Sequence, residues 1–287
     1  MSKSYKIEKL NDFKINHFDP SFTNGMNEEE CLKKLTENTE KINQIQKKLF
    51  AEKKEGVIFV FQAMDAAGKD GTIKAVFTCL PTHGVKESAF KTPSSTELNH
   101  DFLWRIHQEV PERGNIAIFN RSHYEDILIG KVHSLYHKLS LADRIDRDKI
   151  IKKRYQAICN FEEYLYDNSI RTVKFFLNLS KKEQALRFIS RIEEQRKNWK
   201  FNPSDVKERA YWNDYQKAFE EVINETATDH CPWYIIPADH KWYMRYLVSE
   251  IVLKTLEDIN PKYPDVDKGM LTSFEDYRKN LLSEIKD

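Results

Sequence analysis

The chain has 287 residues, 32% charged and 40% hydrophobic, which suits one large domain, or one domain with an insertion, built around a sizeable core. Its 46 basic and 45 acidic residues leave a formal net charge of +1, which speaks against a uniformly basic nucleic-acid-binding coat but leaves room for local patches. No run of about 18 apolar residues is present to span a membrane, the opening Met-Ser-Lys-Ser-Tyr-Lys lacks the apolar stretch of a signal peptide, and Cys31, Cys79, Cys159 and Cys231 show no metal-type spacing and read as free buried thiols of a reducing cytoplasm.

Residues 1–26 are polar and irregular, with Pro20, Asn24 and Gly25 as breakers. A helix is predicted from Asn27, whose side chain suits an N-cap with Glu30 completing a capping box. Leu32, Leu35, Ile42, Ile45 and Leu49 mark its apolar stripe, which could dock on the domain or on a second subunit. After Gly56 the texture changes. Val57–Phe61 is apolar on both faces, as a buried parallel strand requires. Further strands are predicted at Val85–Phe90, Ile116–Phe119, Val173–Leu179 and Trp233–Ile236, separated by helical patterns at Ile73–Leu80, Leu98–Val110, Asp143–Tyr166 and Trp242–Leu256. This alternation predicts a three-layer α/β domain with a central parallel five-stranded sheet.

Lys181–Thr226 differs. It reads as a charged helix pair broken near Phe201-Asn202-Pro203-Ser204, and between Lys181 and Lys217 it holds ten Lys/Arg against six Asp/Glu. A polar tail with a short amphipathic helix, Phe274–Ile285, closes the chain.

The first strand runs into Ala63-Met64-Asp65-Ala66-Ala67-Gly68-Lys69-Asp70-Gly71-Thr72, with a helix directly after it. A strand, a turn of small residues, a Lys and a helix N-terminus are the parts of a phosphate cradle. Backbone N–H groups, the helix end and the Lys charge all favour phosphate oxygens there. The match to GxxxxGK[ST] is imperfect, since Ala63 stands at the first Gly and Asp70 at the Ser/Thr, with Thr72 two residues late. Candidate phosphate-binding residues are Ala66, Ala67, Gly68, Lys69, Asp70, Gly71 and Thr72. Asp65 within such a cradle would repel the ligand unless a cation intervened, so Asp65 is a candidate magnesium ligand, directly or through water. The alternative is a carboxylate that caps the following helix or pairs with an Arg.

The third strand ends in Asn120-Arg121-Ser122-His123-Tyr124-Glu125-Asp126. Ligands gather at such strand ends, and the fork of Arg121 can bind two phosphoryl oxygens at once. Glu125 and Asp126 are candidates for supporting a metal, or else an N-cap with a surface ion pair. His123 reads as a packed loop histidine, because an anionic phosphate nucleophile needs no general base. Arg187 and Arg191, at i and i+4, share one face of the basic helix, and Lys197 and Lys200, two further candidate phosphate-binding residues, continue toward its turn. A helical hairpin with Arg side chains above a phosphate loop reads as a lid. Trp199, Tyr211, Trp212 and Tyr215 read as hairpin packing rather than base stacking, and the basic run Asp143–Arg154 as a solvated face rather than a second polyanion path.

Together the Asp-bearing loop with Gly68-Lys69-Asp70-Gly71-Thr72, the Arg121-Ser122-His123-Tyr124-Glu125-Asp126 segment and the lid with its Trp199-Lys200-Phe201 turn resemble the polyphosphate kinase 2 family. Trp233–Ala238 and the following Lys241-Trp242 look like that family's last strand and its exit. The resemblance runs from roughly residue 30 to 258. It implies a P-loop kinase fold with an inserted lid, and transfer of the terminal phosphoryl group between inorganic polyphosphate and ADP or AMP, with ATP among the products and Mg as cofactor. It implies functional roles for Asp65, Lys69, Arg121 and lid arginines, Arg191 ahead of Arg187. Asn120, at a position the family fills with Asp or Asn, points to members that accept AMP as well as ADP. The layout expected is a single kinase domain over 1–287. It has an N-terminal helix at 27–55, an α/β core at 56–180 and 227–260, a lid at 181–226 and a tail at 261–287. A cytoplasmic homo-oligomer, dimer or tetramer, without nucleic-acid or membrane partners is expected. The competing readings are an ATP-dependent nucleotide or nucleoside kinase of the thymidylate kinase type and a non-catalytic polyphosphate- or nucleotide-binding protein.

Overall fold

The computed structural model describes residues 5–8, 12–139 and 141–285; Met1–Ser4 of the opening segment and the last two residues of the tail lie outside these. In chain order the elements are β1 (Lys6–Ile7), α1 (Glu28–Glu52), β2 (Gly56–Ala63), α2 (Lys69–Phe77), β3 (Val85–Ala89), α3 (Ser95–Leu98) and α4 (Trp104–His107). They continue with β4 (Ile116–Asn120), α5 (Tyr124–Val132), α6 (Ile150–Asp167), β5 (Ile170–Asn178), α7 (Lys181–Glu193), α8 (Pro203–Glu208) and α9 (Trp212–Thr226). Last come β6 (Trp233–Pro237), α10 (Lys241–Ile259) and α11 (Lys268–Glu284).

The sheet order is β1-β6-β5-β2-β4-β3. The five predicted strands are all parallel, in registers such as Val57 with Ile116 and Arg171. A sixth, the two-residue β1, adds antiparallel to β6, so the N-terminal segment is not wholly irregular. From the central β2 the chain first builds β3 and β4 on one side and then β5 and β6 on the other. The carboxyl end of β2 is thus a topological switch point, where open α/β sheets bind ligands.

Every residue of β2 and β4 is buried, because both faces of the sheet are covered. One face carries a core of Phe59, Phe61, Phe175 and Leu177 against Ile42 and Leu49 of α1, Ile73 and Val76 of α2, and Val248 and Val252 of α10. The other carries Ile58, Val60, Phe119 and Phe176 against Ile127 of α5, Ile158 of α6 and Phe219, Val222 and Ile223 of α9.

The capping box forms as predicted. Asn27 Oδ1 accepts from the Glu30 N–H at 2.9 Å, and Glu30 Oε2 from the Asn27 N–H at 3.2 Å. Of the two destinations open to the α1 stripe, the chain takes its own domain: α1 lies along α10, and only Leu32 stays exposed. Leu98–Val110 is not one helix. Asp101 Oδ1 accepts from the Leu103 N–H at 2.9 Å, and this local bond replaces helix between α3 and α4. The lid segment is also more than a free hairpin, since α9 buries Trp212, Phe219, Val222 and Ile223 in the second core. Trp199 is 79% exposed, with Lys200 Nζ 4.9 Å over its ring, and is not buried in the hairpin. Of the four free cysteines, Cys31 and Cys231 are buried, Cys159 is half-buried and Cys79 is exposed, so burial holds for only two. Among the described residues no helix is long and apolar enough to cross a membrane.

Candidate active site

The loop Met64–Gly68 joins β2 to α2 in a tight turn. Ala66 takes the left-handed region with φ 61°, and Gly68 does so with φ 104° as the N-cap of α2. A Cβ at Gly68 would stand 3.1 Å from Met244 Cε, so both its backbone and its surroundings favour glycine there. Lys69 opens α2 and is buried, its Nζ donating to the Ala63 carbonyl at 3.1 Å. Burial first, and then the Arg121 charge, pull its ammonium pKa below the ordinary value, against the carboxylates Asp65, Glu125 and Asp70. Thr72 does not face the loop's cavity. It is fully buried, with Oγ1 donating back to the Gly68 carbonyl at 3.0 Å.

At the end of β4 the chain turns through Arg121 in the left-handed region, φ 65°, a non-glycine conformation that costs on the order of 1 kcal/mol. The turn is held by Arg121 N–H donating to the Phe61 carbonyl at 3.0 Å. It brings Arg121 Nη2 to 3.1 Å from Asp65 Oδ1, both side chains about one-third exposed. Asn120 Nδ2 donates to Asp70 Oδ1 at 2.9 Å and to Glu87 Oε1 at 3.2 Å, so a neutral amide sits between two carboxylates. Glu125 lies near Arg121, Lys69 and Asp65, and burial raises its carboxyl pKa. With its nitrogen toward Glu125, the buried Gln62 amide donates to Oε1 at 2.8 Å and accepts from Ser122. Asp126 turns the other way and pairs with Arg154. In the same basic run Arg147 donates to the Leu139 carbonyl at 2.7 Å, so these two side chains face inward rather than solvent.

The Asp65–Arg121 pair stands between two clefts. One, of about 500 Å³, is lined by Asp65–Gly71, Asn120 and Arg121 from the sheet side. Across from them stand Arg187, Arg191, Lys197 and Lys200 of the lid, with Lys241 and Arg245 of α10. Eight cationic side chains face four carboxylates there, in a chain of net charge +1. The other cleft, of about 580 Å³, shares Asp65, Arg121 and Asp205 with the first. Its walls are Met64, Leu128, Ile129, Tyr215 and Phe219 on the apolar side, with Glu125, His133, Glu208 and Arg209 as polar groups.

The lid residues divide by what they touch. Arg187 is buried and all its donors are engaged. Nη1 reaches the carbonyls of Ala66 at 3.1 Å and Ala67 at 2.6 Å, Nη2 those of Ala238 at 2.6 Å and Asp239 at 3.1 Å, and Nε the Glu183 carboxylate at 2.9 Å. It holds the loop. Arg191 is the one that opens into the cleft, tethered to the Lys200 carbonyl at 3.1 Å and to Asp205 at 3.4 Å. Burial and then the Asp65 charge raise the Asp205 carboxyl pKa. Lys197 donates to Ser190 Oγ at 2.7 Å. Lys241 and Arg245 escaped the sequence reading as cleft residues. Their i, i+4 spacing directly after the last strand was the available signal. Burial, with Arg187 next, lowers the Lys241 pKa.

The chain that builds this cationic cleft matches a family model, Polyphosphate kinase 2, over residues 25–264. The chain belongs to the polyphosphate kinase 2 family. It is 42% identical over 250 residues to the ADP-polyphosphate phosphotransferase of Rhodopseudomonas palustris, with 86% of each chain covered. It is 40% identical over 264 residues to the AMP/ADP-polyphosphate phosphotransferase of Meiothermus ruber, covering 91% of this chain and 95% of that one. The crystal structure of Polyphosphate Kinase 2 from Arthrobacter aurescens TC1 superposes with a TM-score of 0.87 at 34% identity, covering 96% and 95% of the two chains. The fold of this polyphosphate kinase 2 chain is therefore that of its solved relative, and Asp65 and Arg121 stand where its two clefts join, with Lys69 lining the first.

Proposed function

We propose that this polyphosphate kinase 2 transfers the terminal phosphoryl group of inorganic polyphosphate to ADP or AMP, reversibly, giving ATP or ADP. The observation that carries this reading is the pair of clefts meeting at Asp65 and Arg121. The cationic one suits a linear polyanion whose end lies against the phosphate loop. The one with apolar and aromatic walls suits a nucleotide whose phosphates reach the same point.

In this reading Lys69 and the loop amides hold the donor phosphates. Arg121, fixed by its strained turn, offers its guanidinium to the equatorial oxygens of the transferring group, and Arg191 adds a second from the lid. Arg187 keeps the loop backbone in place. Lys197, Lys200, Lys241 and Arg245 line the path of the chain away from the reacting end. Phosphate oxygen is itself the nucleophile, so no side chain need take a proton, and His123, buried away from both clefts, takes none.

A divalent cation fits the donor set. Asp65 presents a carboxylate to the phosphate loop, and magnesium commonly binds one or two carboxylates together with substrate phosphates. Asp65, which lines both clefts, would hold it in exchange for part of its pairing with Arg121, with Glu125 in support, whereas Asp126 lines neither cleft and pairs with Arg154. When bound, the ion would neutralise phosphate charge. The Asn120 amide, bridging Asp70 and Glu87, is the residue we associate with acceptance of AMP beside ADP. The four free thiols suit the cytoplasm. Self-association as a dimer or tetramer belongs to the same reading, but not through the Leu32–Leu49 stripe, which packs within the chain.

The test incubates the protein with magnesium and long-chain polyphosphate, with AMP in one tube and ADP in another, and resolves nucleotides by chromatography. ATP from ADP that requires polyphosphate and comes without an equal amount of AMP supports polyphosphate as the donor, and ADP from AMP supports the wider acceptor range. Turnover with ATP as the only effective donor would move the protein to the thymidylate kinase type.

A further inference from the structure

Gln184 lines the second cleft beside Arg209 and has no place in the chemistry above, yet it is 1% exposed and bonded at both ends of its amide. It lies on α7 three residues before Arg187, on the same face. Its Nε2 donates to the Asp65 carbonyl at 2.9 Å, and its Oε1 accepts from Arg209 Nη1 at 2.7 Å. Arg209, which also donates to the Lys181 carbonyl at 3.2 Å, sits beyond the lid's break, directly after α8.

The next two carbonyls of the loop, Ala66 and Ala67, are taken by Arg187. One helix face thus grips three successive carbonyls of the phosphate loop. In a trans peptide the C=O and the following N–H point in opposite directions across a rigid plane. Holding the carbonyls therefore sets where the loop's N–H groups aim.

A side-chain amide has a donor end and an acceptor end that cannot be exchanged without loss of both bonds. The bond from Arg209 to Oε1 keeps Nε2 on Asp65. We infer that Gln184 is a positioning residue that relays the placement of the Arg209 segment of the lid to the Asp65 peptide, so that the loop is fully set only when that segment is docked. This rests on the functional reading of Asp65 given above.

The test compares wild type, Gln184→Met, Arg209→Met and the double variant in phosphoryl transfer from polyphosphate to ADP. Amide hydrogen exchange of the peptide spanning residues 61–72 is followed in parallel. Each single variant should lose roughly 10-fold or more in kcat, as small misplacements in a reacting site do, with KM moved less and the loop amides exchanging faster. The double variant should be no worse than Gln184→Met. Multiplying losses would mean that Arg209 acts on the ligand directly, and would overturn the relay. So would an unchanged exchange rate in Gln184→Met. If that variant does not fold, Gln184→Glu keeps its volume and the Arg209 contact while removing the donor to Asp65, and full activity there would equally refute the inference. A wild type without phosphoryl transfer would fail the functional reading, while the exchange data would still decide the relay.

Discussion

Arg121 Nη2 lies 3.1 Å from Asp65 Oδ1, and this ion pair is the partition between a cationic cleft and a mixed apolar one. Each partner is about one-third exposed, so the pair contributes little to stability. Its value in the proposed reading is positional: a cation and a carboxylate are kept together where the two clefts meet.

Arg121→Ala should therefore lower kcat by about 10²-fold or more, the size of effect seen when a preorganised donor to a charged transition state is removed, with little change in melting temperature. Lys69→Ala should lose at least as much. Steady-state kinetics and thermal melts on the two variants check this, and near-normal turnover of Lys69→Ala would remove the phosphate loop from the mechanism.

Binding of the polyanion should weaken with salt. Eight cationic side chains face the first cleft, and their attraction for phosphates is screened over about 8 Å at physiological ionic strength. KM for polyphosphate should rise steeply between low and moderate salt, more so in wild type than in Lys241→Ala/Arg245→Ala. A flat dependence would count against this cleft as the donor path.

Beneath the Arg121 turn lies a buried charge pair. Lys174 and Glu162 are 0% and 1% exposed with Nζ–Oε2 at 2.6 Å, and Lys174 also donates to the Thr226 carbonyl at 2.7 Å, at the end of α9. Lys174→Met should cost about 3–5 kcal/mol by stranding the carboxylate, whereas Lys174→Met/Glu162→Gln should recover much of it. Denaturant unfolding of the two proteins measures both. A double variant as unstable as the single would show that the stranded charge is not the cause.

His123, 3.6 Å from Glu162, has its pKa lowered, burial outweighing the carboxylate that raises it. The unfolded histidine takes a proton near pH 6.5, the folded one only below that. Its contribution is therefore complete above about pH 6.5 and is lost as pH falls toward the lowered folded pKa. The melting temperature should decline over that acid interval, and His123→Gln should flatten the decline. An unchanged slope in the variant would assign it to other groups.

Asn120→Asp would bring a third carboxylate to Asp70 and Glu87. Without divalent cations it should melt lower than wild type, and magnesium should restore more of the difference than it adds to wild type. A melt insensitive to magnesium would argue that this corner attracts no cation.

Much of this was legible in the sequence because it is local. A both-faces-apolar strand running into small residues, Lys69 and a helix start specifies a phosphate loop through backbone geometry alone. Asn27 with Glu30 specifies a helix start in the same way. What stayed hidden depends on tertiary placement. Lys174 and Gln62 are polar residues inside apolar strands, and only the structure reveals the partners that let them be buried. Arg187 reads as a cation for phosphate, yet its donors serve carbonyls brought near by the fold. Lys241, Arg245 and Gln184 reach the site across the sheet's switch point, far from the motif in sequence. The two-residue β1 is too short to carry a periodic signal.

The most direct measurement follows label from donor to product. The protein is given polyphosphate carrying ³²P, unlabelled ADP and magnesium, and the ATP formed is hydrolysed to locate the label. We expect the label in the γ-phosphate of ATP, with no AMP made in proportion, and we expect Lys69→Ala and Arg121→Ala to suppress it. Unlabelled ATP accompanied by an equal amount of AMP would mean that two ADP molecules had exchanged a phosphoryl group and that polyphosphate is not the donor.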